Sequence, residues 1–138
     1  MAIEKKFADL ENAFFRLKEA YQRSLSEKTS EDFTFFRDSA IQRFEFTVEI
    51  FWKCLKSFLE IHEGITCRSP KGCIREFFAM GYIDEEETRA LLEMIDYRNL
   101  TSHTYHEEVA QSIFKNLGKY IRLLENIINI LKTKKYEK

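Results

Sequence analysis

Eight consecutive residues, Arg98-Asn99-Leu100-Thr101-Ser102-His103-Thr104-Tyr105, crowd a fixed cation, a titratable imidazole, hydroxyl donors and a phenol into one short stretch. These are groups that handle phosphate: a guanidinium pairs with it, a hydroxyl donates to it, and an imidazole moves protons near neutral pH. A helix-like run, Asp84 to Tyr97, lies just before them, and a long amphipathic run, His106 to Lys132, just after. A simple joint between two helices needs only turn chemistry, which Gly or Pro supplies. This joint contains neither.

Spacing decides what these groups could do together. On one continuous helix, Arg98 and His103 would point about 140° from each other and could not grip one small ligand. Thr104-x-x-Glu107, however, reads as a capping box that opens a new helix. His103 would then sit just outside a helix N-terminus, where unpaired amides favour an anion. Arg98 could approach the same spot from the end of the preceding helix. Such a site could hold a phosphodiester, with His103 as general acid or base and Arg98 stabilising developing charge. A ribose 2′-hydroxyl attacking its own phosphate would need neither metal nor cofactor, and none is expected. A plainer account fits the same residues. Arg98 near a helix C-terminus is favoured by the dipole and could pair with Asp96 or a glutamate, and His103 could satisfy a carbonyl in a tight turn.

The elements that must position these groups read as helices. With 138 residues, the chain fits one domain, 1–138, able to bury a proper core. Only 4 Gly and 1 Pro argue for long helices and against a many-turned sheet. The first helix is expected from Ala2 to Leu25, with Ile3, Phe7, Leu10, Phe14, Leu17 and Tyr21 as its stripe. The second starts somewhere in residues 31–38 and runs to Ile61. Ile41, Phe44, Val48, Phe51, Trp52, Leu55, Phe58 and Leu59 fall on one broad face, and Phe46, Ile50, Cys54 and Ile61, with Arg43 among them, form a further sector. That sector suggests burial on two sides, centrally in the bundle or, as favoured here, against another subunit. Ser69-Pro70 starts a short third helix ending at Gly81. Asp84-x-x-Glu87 caps the fourth, whose core residues are Leu91, Met94 and Ile95. The last helix carries Ala110, Ile113, Leu117, Tyr120, Leu124, Ile127 and Leu131, and 132–138 reads as a frayed tail. The expected architecture is all-α: an up-and-down four-helix bundle with an additional short helix, dimeric through its second helix.

Other features narrow the function. A net charge of −1 gives no broad basic field, so neither DNA nor tight non-specific nucleic-acid binding is expected, though a local site for a few phosphates is compatible. No apolar run approaches ~18 residues, so no membrane span is expected. Three cysteines, an odd count, with a polar N-terminus and no signal-like start, point to a reducing cytoplasm. Cys54 fits a core position, and the spacing of Cys67 and Cys73 is wrong for the usual zinc pairs, so no metal site is expected. Glu45, Glu49 and Lys53 read as a solvated helix face or a docking surface. Arg43 could pair across a subunit interface or reach the phosphate site, and Lys71 and Arg75 could assist an anion. Trp52 reads as core, and His62 and His106 as surface.

Arg98-Asn99-x-x-x-His103-x-Tyr105 resembles the signature of the HEPN superfamily, helical bundles named for nucleotide binding in higher eukaryotes and prokaryotes. More closely, the chain is similar to the nucleotidyltransferase substrate-binding protein family, the HEPN half of a pair whose other half is a separate minimal nucleotidyltransferase. Three blocks carry the resemblance: Ile41-Gln42-Arg43-Phe44-Glu45-Phe46-Thr47 with Trp52-Lys53, then Ser69-Pro70-Lys71, then Arg98-Asn99 through Tyr105. The resemblance implies a homodimeric bundle that brings two motif copies close. It implies a metal-independent ribonuclease site of Arg98 and His103, supported by Asn99, Ser102, Tyr105 and Arg43. It implies a toxin whose antitoxin is the nucleotidyltransferase, in some pairs by adding AMP to the tyrosine at position 105. It equally carries an older, non-catalytic meaning: a subunit that binds nucleotide or substrate for the nucleotidyltransferase. The chain has no nucleotidyltransferase catalytic loop of its own.

Overall fold

The structure is a computed structural model that describes residues 2–134. Five α-helices follow one another: α1 (Ala2–Ser26), α2 (Phe33–Glu63), α3 (Pro70–Ala79), α4 (Glu85–Leu100) and α5 (Glu107–Lys134), with one turn of 3-10 helix, Thr101–His103, between α4 and α5. The all-α bundle with one short additional helix is as expected. The long helices α1, α2 and α5 pack on one another, α3 bridges α2 and α4, and α4 packs back on α5.

The expected stripes face inward. Ile3, Phe7, Leu10, Phe14 and Leu17 of α1 are buried, as are Phe44, Val48, Phe51, Leu55 and Phe58 of α2 and Ile113, Leu117, Tyr120, Leu124 and Ile127 of α5. Each such large side chain contributes about 2 kcal/mol of burial free energy. Leu91, Met94 and Ile95 bury α4 against them. The further sector of α2 is split. Cys54 is core, while Phe46 and Ile61 remain about half exposed at 47% and 51%.

Helix ends explain where the joints fall. The Ser69 hydroxyl accepts from the Gly72 amide, with Pro70 at the first helical position of α3. Asp84 and Glu87 form the reciprocal capping box of α4. Two expectations change. The helix α3 ends at Ala79, with Gly81 two residues on at φ +85, a left-handed conformation that suits glycine. Cys67 and Cys73 are joined as a disulfide, which reducing surroundings did not predict. The start of α3 turns the chain back on itself, setting the two Cα atoms 5.2 Å apart, inside the range a disulfide spans. Lys132–Lys134 belong to the last turn of α5, and 135–138, the rest of the expected frayed tail, lie outside the described residues. No described helix is long and apolar enough to cross a membrane.

Candidate functional site

The capping box of α4 sets the phase of that helix and so fixes where Arg98 and Asn99 emerge, in its last turn. The chain then tightens without breaking: Leu100, Thr101 and Thr104 all keep right-handed helical angles. Side-chain hydroxyls close this end. Thr101 donates to the Arg98 carbonyl at 2.7 Å, Ser102 to the Asn99 carbonyl at 3.3 Å and Thr104 to the Thr101 carbonyl at 3.4 Å. A helix end leaves carbonyls without partners, and Ser and Thr are suited to satisfying them locally. The joint therefore needs no glycine. Its hydroxyls, Ser102 included, serve the backbone first.

The Thr104 capping box is not formed. The Thr104 hydroxyl turns back to the Thr101 carbonyl, the helix α5 begins at Glu107, and the Glu107 carboxylate is engaged by Arg37 of α2 through Nη1 at 2.6 Å and Nη2 at 3.1 Å. Arg37 is buried, 4% exposed, and its Nε also donates to Asp38 at 3.0 Å. The Arg37 hydrogen bonds hold the Glu107 carboxyl below its usual range, with Gln111 adding to the effect. The same bonds to Glu107 outweigh burial and raise the Arg37 guanidinium. This clamp ties the start of α2 to the far side of the motif joint. Nothing local in the sequence singled out Arg37.

Arg98 and His103 have different partners. Arg98 reaches α2, where Nη2 donates to Glu49 at 3.3 Å, and Glu49 also pairs with Lys53 at 3.5 Å. The Arg98 Nε–H is buried and has no partner among the described residues. Such orphaned donors are rare in folded proteins and call for an explanation. His103 is exposed on the 3-10 turn, with Nδ1 3.5 Å from the Tyr105 hydroxyl. The Tyr105 ring leans on His106 at 4.3 Å and is 76% exposed.

Around Arg98 the three sequence blocks meet. A cleft of about 250 Å³ is lined by Val48, Glu49, Trp52, Pro70, Arg98 and Asn99, among others. Trp52, expected in the core, is half-buried at this cleft. Lys71 stands beside it, paired to Asp96 at 2.7 Å. Arg43 lies elsewhere, in grooves between α1 and α2 with Arg16. Nor is His62 a bare surface residue: it stacks on Phe58 at 4.4 Å. No group of three or more metal-ligand side chains occurs among the described residues.

Comparison with known proteins gives one family match and several structural ones. The family described as "nucleotidyltransferase substrate binding protein like" matches residues 5–133. A crystal structure of a Thermus thermophilus protein is 40% identical over 94% of this chain and 98% of that one, with a TM-score of 0.71. A tri-AMPylated Shewanella oneidensis HEPN toxin, solved in complex with MNT antitoxin, superposes with a TM-score of 0.75 at 19% identity, covering 96% of this chain and 97% of that one. A toxin–antitoxin structure, MntA–HpeT, does so at 0.77 and 18%, covering 96% and 98%. At these last two identities the likeness is one of fold. A search of curated proteins gives no match.

Proposed function

The chain belongs to the nucleotidyltransferase substrate binding protein-like family, within the HEPN superfamily, and from that premise we propose that it is the HEPN partner of a separately encoded minimal nucleotidyltransferase and acts as a toxin that cleaves RNA. The observation that carries this reading is the state of Arg98. Its side chain lines a cleft where all three family blocks meet, its Nε–H has no partner among the described residues, and an exposed imidazole lies on the next turn.

The chemistry follows from these groups. A neutral His103 takes the proton from a ribose 2′-hydroxyl as that oxygen bonds to the adjacent phosphorus. A protonated His103 gives a proton to the departing 5′-oxygen as the P–O5′ bond breaks. The products are a 2′,3′-cyclic phosphate and a 5′-hydroxyl. Arg98 stabilises the charge that gathers on the phosphoryl oxygens. A second copy facing the first supplies a further Arg98–His103 pair and the second imidazole. Tyr105, standing free of the bundle beside His103, is the acceptor for AMP from the nucleotidyltransferase. The phenol oxygen bonds to the α-phosphorus of a nucleoside triphosphate, pyrophosphate leaves, and the phenol proton goes to solvent. The added phosphate then stands where RNA would approach His103.

One observation favours a second reading. Glu49 already holds Arg98, as expected of a guanidinium kept to bind a nucleotide phosphate rather than to drive chemistry. In that reading the chain is a non-catalytic substrate-binding subunit. Co-expression with the adjacent gene product and expression alone separate the readings. A toxin arrests growth alone, loses this with His103→Ala, and is silenced by the partner. A binding subunit co-purifies with the partner and is harmless with either residue. Absence of any complex would remove both.

A further inference from the structure

Three arginines share one groove where α1 meets α2. Arg16 and Arg23 stand seven residues apart on one side of α1, about 10 Å along its axis. Arg43 faces them from α2, and Glu19, Phe36 and Ser39 complete a groove of about 550 Å³. Among the described residues no ion pair reaches these three arginines, whereas Arg37, Arg89 and Arg98 each hold a glutamate. In a chain of net charge −1, the cluster is a local feature and not part of a general basic surface.

Aromatic rings are set between the charges. The Arg23 guanidinium lies over the Phe36 ring at 4.9 Å. Beyond Arg16 and Arg43 the surface continues as a mainly apolar cleft of about 330 Å³ that includes Ile50 and the half-exposed Phe46. In the other direction it leads to the motif joint. Ser39 also lines a third cleft, together with Thr101 and Thr104. That cleft is lined by Asp38 and Glu45 with no cation, whereas the arginine groove sets three guanidinium groups against Glu19, which makes it the better place for phosphate.

We propose that the α1–α2 groove is a binding track for single-stranded RNA, with phosphates on Arg16, Arg23 and Arg43 and bases against Phe36 and Phe46. Guanidinium forks match phosphate in two-point contacts, and alternating cations and aromatic faces suit a strand whose bases are unpaired. A second copy is the poorer occupant. A two-fold contact sets the same patch against itself, and here that opposes like charges. An acidic protein segment would use the arginines but leave the rings without a role.

The track rests on the reading of the chain as an RNA-handling protein, yet the two fail separately. In the His103→Ala background, where RNA persists, the affinity for a short single-stranded RNA is measured across salt from roughly 50 to 200 mM. Arg16→Ala, Arg23→Ala and Arg43→Ala together are expected to weaken binding at least about tenfold. They should also flatten the slope of log affinity against log salt by about 2, at ~0.7 per phosphate contact. The matching triple Lys variant keeps most of the slope while losing affinity, which excludes misfolding as the cause. Unchanged affinity and slope in the Ala variant, or no RNA binding by the parent, overturns the proposal. So does unchanged RNA binding with an altered oligomeric state or a lost nucleotidyltransferase complex, which would make the groove a protein contact. RNA held in the groove but never cut by the chain with His103 intact overturns the nuclease reading alone.

Discussion

Two arginine–glutamate pairs join α2 to the α4–α5 region, and they are built differently. Arg37 meets Glu107 through two nitrogens, at 2.6 and 3.1 Å, with its side chain 5% exposed. Arg98 meets Glu49 through one nitrogen at 3.3 Å, is 30% exposed, and shares its carboxylate with Lys53. A two-point pair whose guanidinium is buried, although its carboxylate is exposed, is harder to replace, because removing the carboxylate leaves a buried charge with less compensation. A half-exposed one-point pair is weak and can be exchanged for a ligand. The same two residue types thus make a two-point clamp in one place and a one-point contact in the other. The difference lies in burial and geometry, which residue identity alone does not reveal.

The comparison can be broken first at the clamp. Arg37→Ala is expected to lower Tm by several degrees and to speed amide exchange across 101–110, whereas Arg98→Ala leaves both near wild type. Equal losses in thermal melts would erase the distinction. A smaller effect, about 2 kcal/mol by the loop-entropy argument, is expected for Cys67→Ser, read as a shift of the urea midpoint. The disulfide brackets Pro70 at the cleft but touches neither arginine, so that loss should be the same with and without Arg37→Ala.

Acid sharpens the contrast further. The folded Glu107 carboxyl lies below its ordinary value, chiefly through the Arg37 hydrogen bonds. Its contribution is therefore complete above the ordinary glutamate pKa of about 4.3 and fades as pH falls through the depressed folded value. The difference in Tm between wild type and Glu107→Gln should shrink in that acid window and stay constant at neutral pH. The smallest effect belongs to Glu49→Gln. It loosens the hold on Arg98, so calorimetry with AMP should show affinity rising a few-fold while stability stays within about 0.5 kcal/mol.

Most of the fold was legible because its signals are local. The apolar stripes, the Ser69-Pro70 start and the Asp84–Glu87 box each depend on residues within a turn or two of one another. What was missed depends on distant residues. Glu107 looked like half of a capping box but is recruited by Arg37, 70 positions away. The start of α2 was poorly marked because Asp32, at its N-cap, makes no side-chain capping bond. The Cys67–Cys73 bridge needs the turn-back at α3 before the two Cα atoms approach. At the site, Arg98 and His103 were visible by type and spacing, but their directions were not. Between them, hydroxyl-capped carbonyls carry α4 into a 3-10 turn. Glu49 and Trp52 could have been flagged by their place in or beside the first family block, but the only sign of their role is proximity to Arg98 in space.

The central claim is that Arg98 and His103 form a ribonuclease site needing no metal. Single-turnover cleavage of a defined RNA in excess EDTA tests it most directly, comparing wild type with His103→Ala and Arg98→Ala. Wild type is expected to cleave to a 2′,3′-cyclic phosphate, with each substitution slowing the reaction by about 10²–10³-fold and leaving Tm essentially unchanged. Equal rates for the three proteins, or wild-type cleavage abolished by EDTA, would contradict it.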